Sequence, residues 1–142
     1  MSTAELLNPK IAYSAIDDNT ILSFIKTVRD GITFKNFITF ANMSPFDLSE
    51  WSVFLHLSER TMQRYKKEEK TFDSLQSEKI LEIALLYKNG IDVFGTGDKF
   101  NSWLESENLA LGKTAPKKFL DSTFGIGLVK DELTRIEHGV LA

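Results

Sequence analysis

The sequence predicts an all-α chain of 142 residues. Three observations carry that prediction. Apolar residues recur at spacings of three and four along most of the length. No stretch alternates apolar and polar residues over five or more positions between turn residues, so no strand pattern competes. Residues that cap helices, and glycines that end them, fall at the edges of the apolar runs.

The elements follow in order. Asp17 or Asp18 starts a helix near 20–30, with Ile21, Leu22, Ile25 and Val28 along one side and Gly31 at its end. Phe34, Phe37, Ile38 and Ala41 mark the apolar face of the next helix. Ser44-Pro45 reads as a helix start, serine as the cap and proline in the first turn, where its missing N–H costs nothing. The resulting helix, 45–55, carries Leu48, Trp51 and Leu55. After a break at His56–Leu57, where His56 is expected to be partly buried, Ser58 caps a helix over 58–69. Helix 74–88 is apolar nearly all round, from Ile80 to Tyr87, so it is either the central helix or faces a partner chain, and it is the candidate for the dimer seam. Asn89-Gly90 reads as its stop, and three glycines within 89–97 mark the domain boundary. A helix with Phe100, Trp103 and Leu104 follows, then a loop at Leu111–Pro116 and a short helix over Pro116–Ser122. The last helix starts near Gly125–Gly127, carries Val129, Leu133 and Ile136, and closes at Gly139. The expected domains are an extension over 1–31, a first domain over 32–88 and a second over 89–142.

Composition excludes much chemistry. There is no cysteine, so disulfides, thiolate zinc sites, iron–sulfur clusters and cysteine nucleophiles are out. His56 and His138 are the two histidines, too few for a histidine-built metal site, and no metal is expected. Gly95-Thr96-Gly97 and Leu111-Gly112-Lys113-Thr114 both lack the glycine spacing of a phosphate loop. No serine sits in a Gly-x-Ser-x-Gly turn, and neighbouring carboxylates such as Asp131 and Glu132 point apart on a helix. Neither catalysis nor a cofactor is expected. No apolar run approaches the roughly 18 residues of a membrane span. The N-terminal MSTAELLNPK lacks the basic and apolar regions of a signal peptide, which leaves a soluble cytoplasmic chain as the expectation.

The net charge is −3, which offers no general surface for a polyanion. Any nucleic-acid contact must be local, and Ser58–Lys67 supplies four basic residues against one acidic. Helices 45–55 and 58–69, joined by a tight turn, have the layout of a helix-turn-helix, whose second helix lies in the major groove. Arg60, Arg64 and Lys67 share one face of that helix, while Met62 and Tyr65 turn inward. Arg60 and Arg64 suit bidentate contact with guanine, and Gln63 suits adenine. Lys66, Lys67 and Lys70 suit phosphates, and Thr61 either. The competing reading is a solvated amphipathic helix, favoured by Glu59, Glu68 and Glu69.

A second pattern lies further on. Trp103-Leu104 is followed by Leu111-Gly112, Pro116, Phe119-Leu120-Asp121-Ser122, Gly125, and finally Arg135-Ile136-Glu137-His138-Gly139-Val140-Leu141-Ala142. This order closely resembles the C-terminal toxin-binding domain of Xre/MbcA/ParS-type antitoxins, the partners of RES-domain toxins. Ser58–Tyr65 is similar to the helix-turn-helix of the same antitoxins. Lys113, Phe119 and Ser122 stand where that family often has glycine, leucine and threonine.

The resemblance implies an N-terminal Xre-like helix-turn-helix domain and a small helical C-terminal toxin-binding domain. It implies neutralisation of an NAD-consuming RES-domain toxin, the C-terminal segment closing the cleft, with autoregulation through operator DNA. Arg135, Glu137, His138, Gly139, Val140, Leu141 and Ala142 are the expected toxin-binding residues. Arg135 suits a toxin carboxylate, and Glu137 suits the cationic ground that NAD phosphates occupy. The bland alternative for this block is a capped final helix, with Arg135 favouring its dipole. A homodimer is expected, because palindromic operators are read by two copies. The alternative function is a stand-alone helix-turn-helix transcriptional regulator; a toxin sponge without DNA binding is a third.

Overall fold

The computed structural model describes residues 2–15 and 17–139. Among them stand eight α-helices: α1 (Thr3–Leu7), α2 (Asp18–Asp30), α3 (Phe34–Met43), α4 (Leu48–Leu55), α5 (Glu59–Glu68), α6 (Ser74–Phe94), α7 (Gly97–Glu105) and α8 (Thr123–Glu137). Short 3-10 turns occupy Tyr13–Ala15, Leu109–Leu111 and Pro116–Phe119. Each α-helix begins at a serine, threonine or aspartate whose side chain accepts a hydrogen bond from the first turn: Ser2, Asp17, Thr33, Asp47, Ser58, Asp73, Thr96 and Ser122. Such a cap satisfies an N–H that the helix itself leaves without an acceptor, worth about 1 kcal/mol each.

The 21-residue α6 is the axis. Helices α1, α2, α4, α7 and α8 all pack on it. Ile80, Leu81, Ile83, Ala84, Leu86 and Tyr87 are buried, and the covering elements belong to the same chain. Of the two readings of its apolar circumference, the central helix is therefore the right one, and the seam is corrected. Asn89-Gly90 does not stop α6, which runs on to Phe94 and ends at Gly95 with φ +87°. Gly90 serves contact instead: a Cβ there would fall inside the buried Phe100 ring, so only glycine lets α7 lie this close.

Two other boundaries differ from the sequence reading. Ser44 does not cap α4 but ends α3, its N–H donating to the Phe40 and Ala41 carbonyls. Pro45 holds Ser44 extended, at ψ 162°, as the residue before a proline prefers. Asp47 starts α4 through a reciprocal capping box with Glu50, a better anchor than a lone serine. Ser122, not the glycines, starts α8, and the segment before it forms a 3-10 turn over Pro116–Phe119. Gly139, at φ +69°, lies just past the α8 C-cap, where the helix was expected to close.

The extension folds too. Leu6 and Leu7 of α1 reach the core at 1% and 2% exposure. Lys88 on α6 is buried, and its ammonium donates to the carbonyls of Asn8 and Ile11, tying residues 8–11 to the axis. Desolvation drives its pKa down to about 8, with Asp92 opposing. A lysine with a depressed folded pKa binds fewer protons than in the unfolded chain between that value and its ordinary one. Its contribution to stability therefore rises with pH through that window. We expect urea-unfolding free energy to climb from pH 8 towards 10, and Lys88→Met to flatten that climb. Equal slopes in both proteins would contradict the assignment. Tyr87, Lys26 and Lys117, whose folded pKa values are raised, act above this window.

Candidate functional site

The turn between α4 and α5 spans three residues, 56–58. His56 takes the left-handed conformation, φ 56° and ψ 38°, and ends α4; Ser58 then caps α5, its Oγ accepting from the Thr61 N–H at 3.0 Å. Met62 is fully buried, and the half-buried Tyr65 packs its ring 5.3 Å from that of Phe72. These two contacts fix which side of α5 faces outward. Arg60, Gln63, Arg64, Lys66 and Lys67 are all exposed, and Thr61 is half-buried behind its hydrogen bond to Ser58. Arg60, Thr61, Gln63, Arg64 and Lys67 line one shallow groove with Glu68. Arg64 lies 5.7 Å from the Tyr65 ring centroid, which braces its guanidinium. The structure thus brings the predicted basic residues onto one open face, with Lys66 beside them.

The C-terminal end is built on α8. Val129 and Leu133 are fully buried, and Gly125 is pressed so close to the Phe119 carbonyl that no Cβ fits. Glu132 is 1% exposed and accepts from Arg135 Nη1 at 2.8 Å. The buried carboxylate therefore positions the guanidinium at the surface. That i,i+3 pairing was visible in the sequence and was missed. Glu137, His138 and Gly139 are exposed beyond it. Val140, Leu141 and Ala142 lie outside the described residues.

Two polar ties join the basic helix pair to the C-terminal elements. His56 is exposed rather than partly buried, and its Nε2 lies 2.7 Å from the Asp121 carbonyl, to which it donates. Lys117 bridges Glu105 of α7 at 2.7 Å and Glu50 of α4 at 3.0 Å. Both carboxylates raise the pKa of Lys117 by hydrogen bonding to its charged form, Glu105 the more. Sequence periodicity gives no sign of either tie, since the partners are 65 or more positions apart or meet through a turn.

Among the described residues, no group of three or more His, Asp or Glu is arranged to hold a metal ion, and no helix is long and apolar enough to cross a membrane. The grooves are open surface depressions lined by apolar and charged side chains.

Residues 23–85 match a family model described as the antitoxin Xre-like helix-turn-helix domain. Residues 89–139 match one described as the antitoxin Xre/MbcA/ParS C-terminal toxin-binding domain. No curated protein matches the chain. With an Xre-like helix-turn-helix domain over 23–85 followed by a toxin-binding domain over 89–139, the chain belongs to the Xre/MbcA/ParS-type antitoxins.

Proposed function

We propose that this antitoxin neutralises a RES-domain, NAD-consuming toxin by filling its nucleotide cleft with the end of α8 and the residues beyond it. The observation that carries the reading is the exposed run Arg135, Glu137, His138 and Gly139, projecting from a helix whose other face is locked in the core. A cleft that binds a pyrophosphate presents positive groups, and Glu137 is the acidic residue nearest the tip of α8 that can meet them. Arg135, held by Glu132, pairs with a toxin carboxylate. Val140, Leu141 and Ala142 extend the same contact. No step of covalent chemistry is needed, and no cofactor of the antitoxin's own.

Residues 1–31 act as a helical extension, 32–88 as the DNA-binding domain and 89–142 as the toxin-binding domain, all in the cytoplasm. Arg60, Thr61, Gln63, Arg64, Lys66 and Lys67 contact the operator, with two copies of the chain reading a palindrome. Arg60 and Arg64 supply base recognition, and the lysines supply phosphate contacts.

Co-expression with the toxin encoded by the adjacent reading frame tests the neutralising half: growth is rescued, and the two proteins co-purify. A toxin that stays lethal beside soluble antitoxin overturns it. For the DNA half, replacing both Arg60 and Arg64 by alanine is expected to cost about 1–3 kcal/mol of operator affinity for each lost bidentate contact. An unchanged gel shift would show that α5 is a solvated face.

A further inference from the structure

Helix α2 carries its outward residues in a self-complementary order. Its inner side, with Thr20 and Thr27 buried and Phe24 and Val28 half-buried, packs on α6. The opposite side presents Asp18, Leu22, Ile25 and Arg29, all exposed, at spacings of four, three and four. That is the spacing of a coiled-coil seam. Leu22 is 66% exposed and Ile25 is 42%, with Ile21 flanking them at 47%. Solvating three large aliphatic side chains on one helix is unfavourable in an isolated chain.

Turning this strip end over end, about an axis midway between Leu22 and Ile25, maps Asp18 onto Arg29 and Leu22 onto Ile25. Ile21 maps onto Lys26, whose methylene stem covers it while the ammonium keeps its exposed ion pair with Asp30 at 2.6 Å. Asp18 at the start of each helix meets Arg29 near the end of the other, and the helix dipoles are opposed. Asp17 maps onto Asp30, which is already paired with Lys26 of its own helix. A parallel arrangement would set Asp18 on Asp18 and Arg29 on Arg29.

We propose that α2 pairs antiparallel with α2 of a second copy of this chain, Leu22 and Ile25 forming the apolar centre and Asp18 of each copy facing Arg29 of the other. The groove between α2 and α6, where Ile25, Val28, Leu81 and Leu85 meet Glu78 and Glu82, opens beside the seam. A 13-residue helix supplies less than two full heptads, so the dimer is concentration-dependent. The two-fold axis relates two copies of α5, as a palindromic operator requires. This inference rests on the DNA-binding dimer of the proposed function and gives it a surface.

The test is sedimentation velocity on the full chain over a micromolar range, with far-UV circular dichroism to establish folding. The wild type dimerises, and Leu22→Asp stays folded and monomeric. Asp18→Arg and Arg29→Asp each weaken self-association roughly tenfold, because two attractive contacts become repulsive in the symmetric dimer. An equimolar mixture of these two single variants associates as well as the wild type, and so does the double variant D18R/R29D. A folded Leu22→Asp that still dimerises, or a mixture no tighter than its components, overturns the seam. A wild type that is monomeric throughout yet shifts operator DNA overturns the seam and leaves the DNA-binding reading standing. A dimer that Leu22→Asp abolishes but that does not shift operator DNA supports the seam and removes that reading.

Discussion

Trp51→Ala is expected to remove about 3–5 kcal/mol of stability, the usual range for deleting a large buried aromatic. Trp51 is fully buried on α4, and its ring meets four others nearly edge-on. Phe37 lies at 5.1 Å and 86°, Phe40 at 5.7 Å and 74°, Phe46 at 5.9 Å and 85°, and Phe54 at 5.6 Å and 75°. Such edge-to-face pairs add to area burial because the positive ring edge meets a negative face. The four partners come from α3, from the α3–α4 link and from α4 itself, so no single shift can close the cavity. In thermal melting the midpoint falls by on the order of 10–15 °C for a chain of this size. Operator binding falls with it, since α4 is the platform on which α5 stands.

Trp51→Phe separates packing from polarity. The indole Nε1 is buried without a hydrogen-bond partner among the described residues. An unpaired buried donor costs about 1–3 kcal/mol, so phenylalanine discards a penalty along with some volume. The expected loss is well under half that of Trp51→Ala. A Trp51→Phe variant as unstable as Trp51→Ala would mean that Nε1 is satisfied in solution, and a Trp51→Ala loss below about 1 kcal/mol would end the account of Trp51 as the hub.

Local signals were read where they acted locally. The α5 start was legible because Ser58 caps it, and its outward face because Met62 and Tyr65 repeat at helical spacing. The C-terminal motif was legible as an ordered pattern from Trp103 to Gly139. Some failures were local, as at the Asp47–Glu50 capping box and the Glu132–Arg135 pair; the rest were decided by contacts distant in sequence. Gly90 reads as a helix stop, and only the Phe100 ring packed against it shows why a glycine belongs inside α6. Helix α1 has five residues, too few for periodicity to register, and is held by its buried leucines and, just beyond its end, by Lys88. The ties His56–Asp121 and Glu50–Lys117–Glu105 leave no trace in any window of the sequence. Arg135 matched the motif, but its orientation depends on a carboxylate that only the fold buries.

The second large effect concerns the end of the chain. Glu137, His138 and Gly139 are exposed, and among the described residues none of the core lies beyond Leu133. Cutting the chain after Ile136 therefore leaves the packed face of α8 intact, and the melting temperature is expected to stay within a few degrees. Operator binding through α5 persists as well, because the ties at His56 and Lys117 lie far from the cut. What is lost is the tail proposed above to enter the toxin cleft, while Arg135 stays.

The decisive measurement is growth rescue by this truncated chain, lacking residues 137–142, when co-expressed with the toxin at matched soluble levels and with its gel shift read in parallel. The account predicts that rescue disappears while the operator complex keeps its affinity. A truncated antitoxin that protects cells as well as the full-length chain would contradict it.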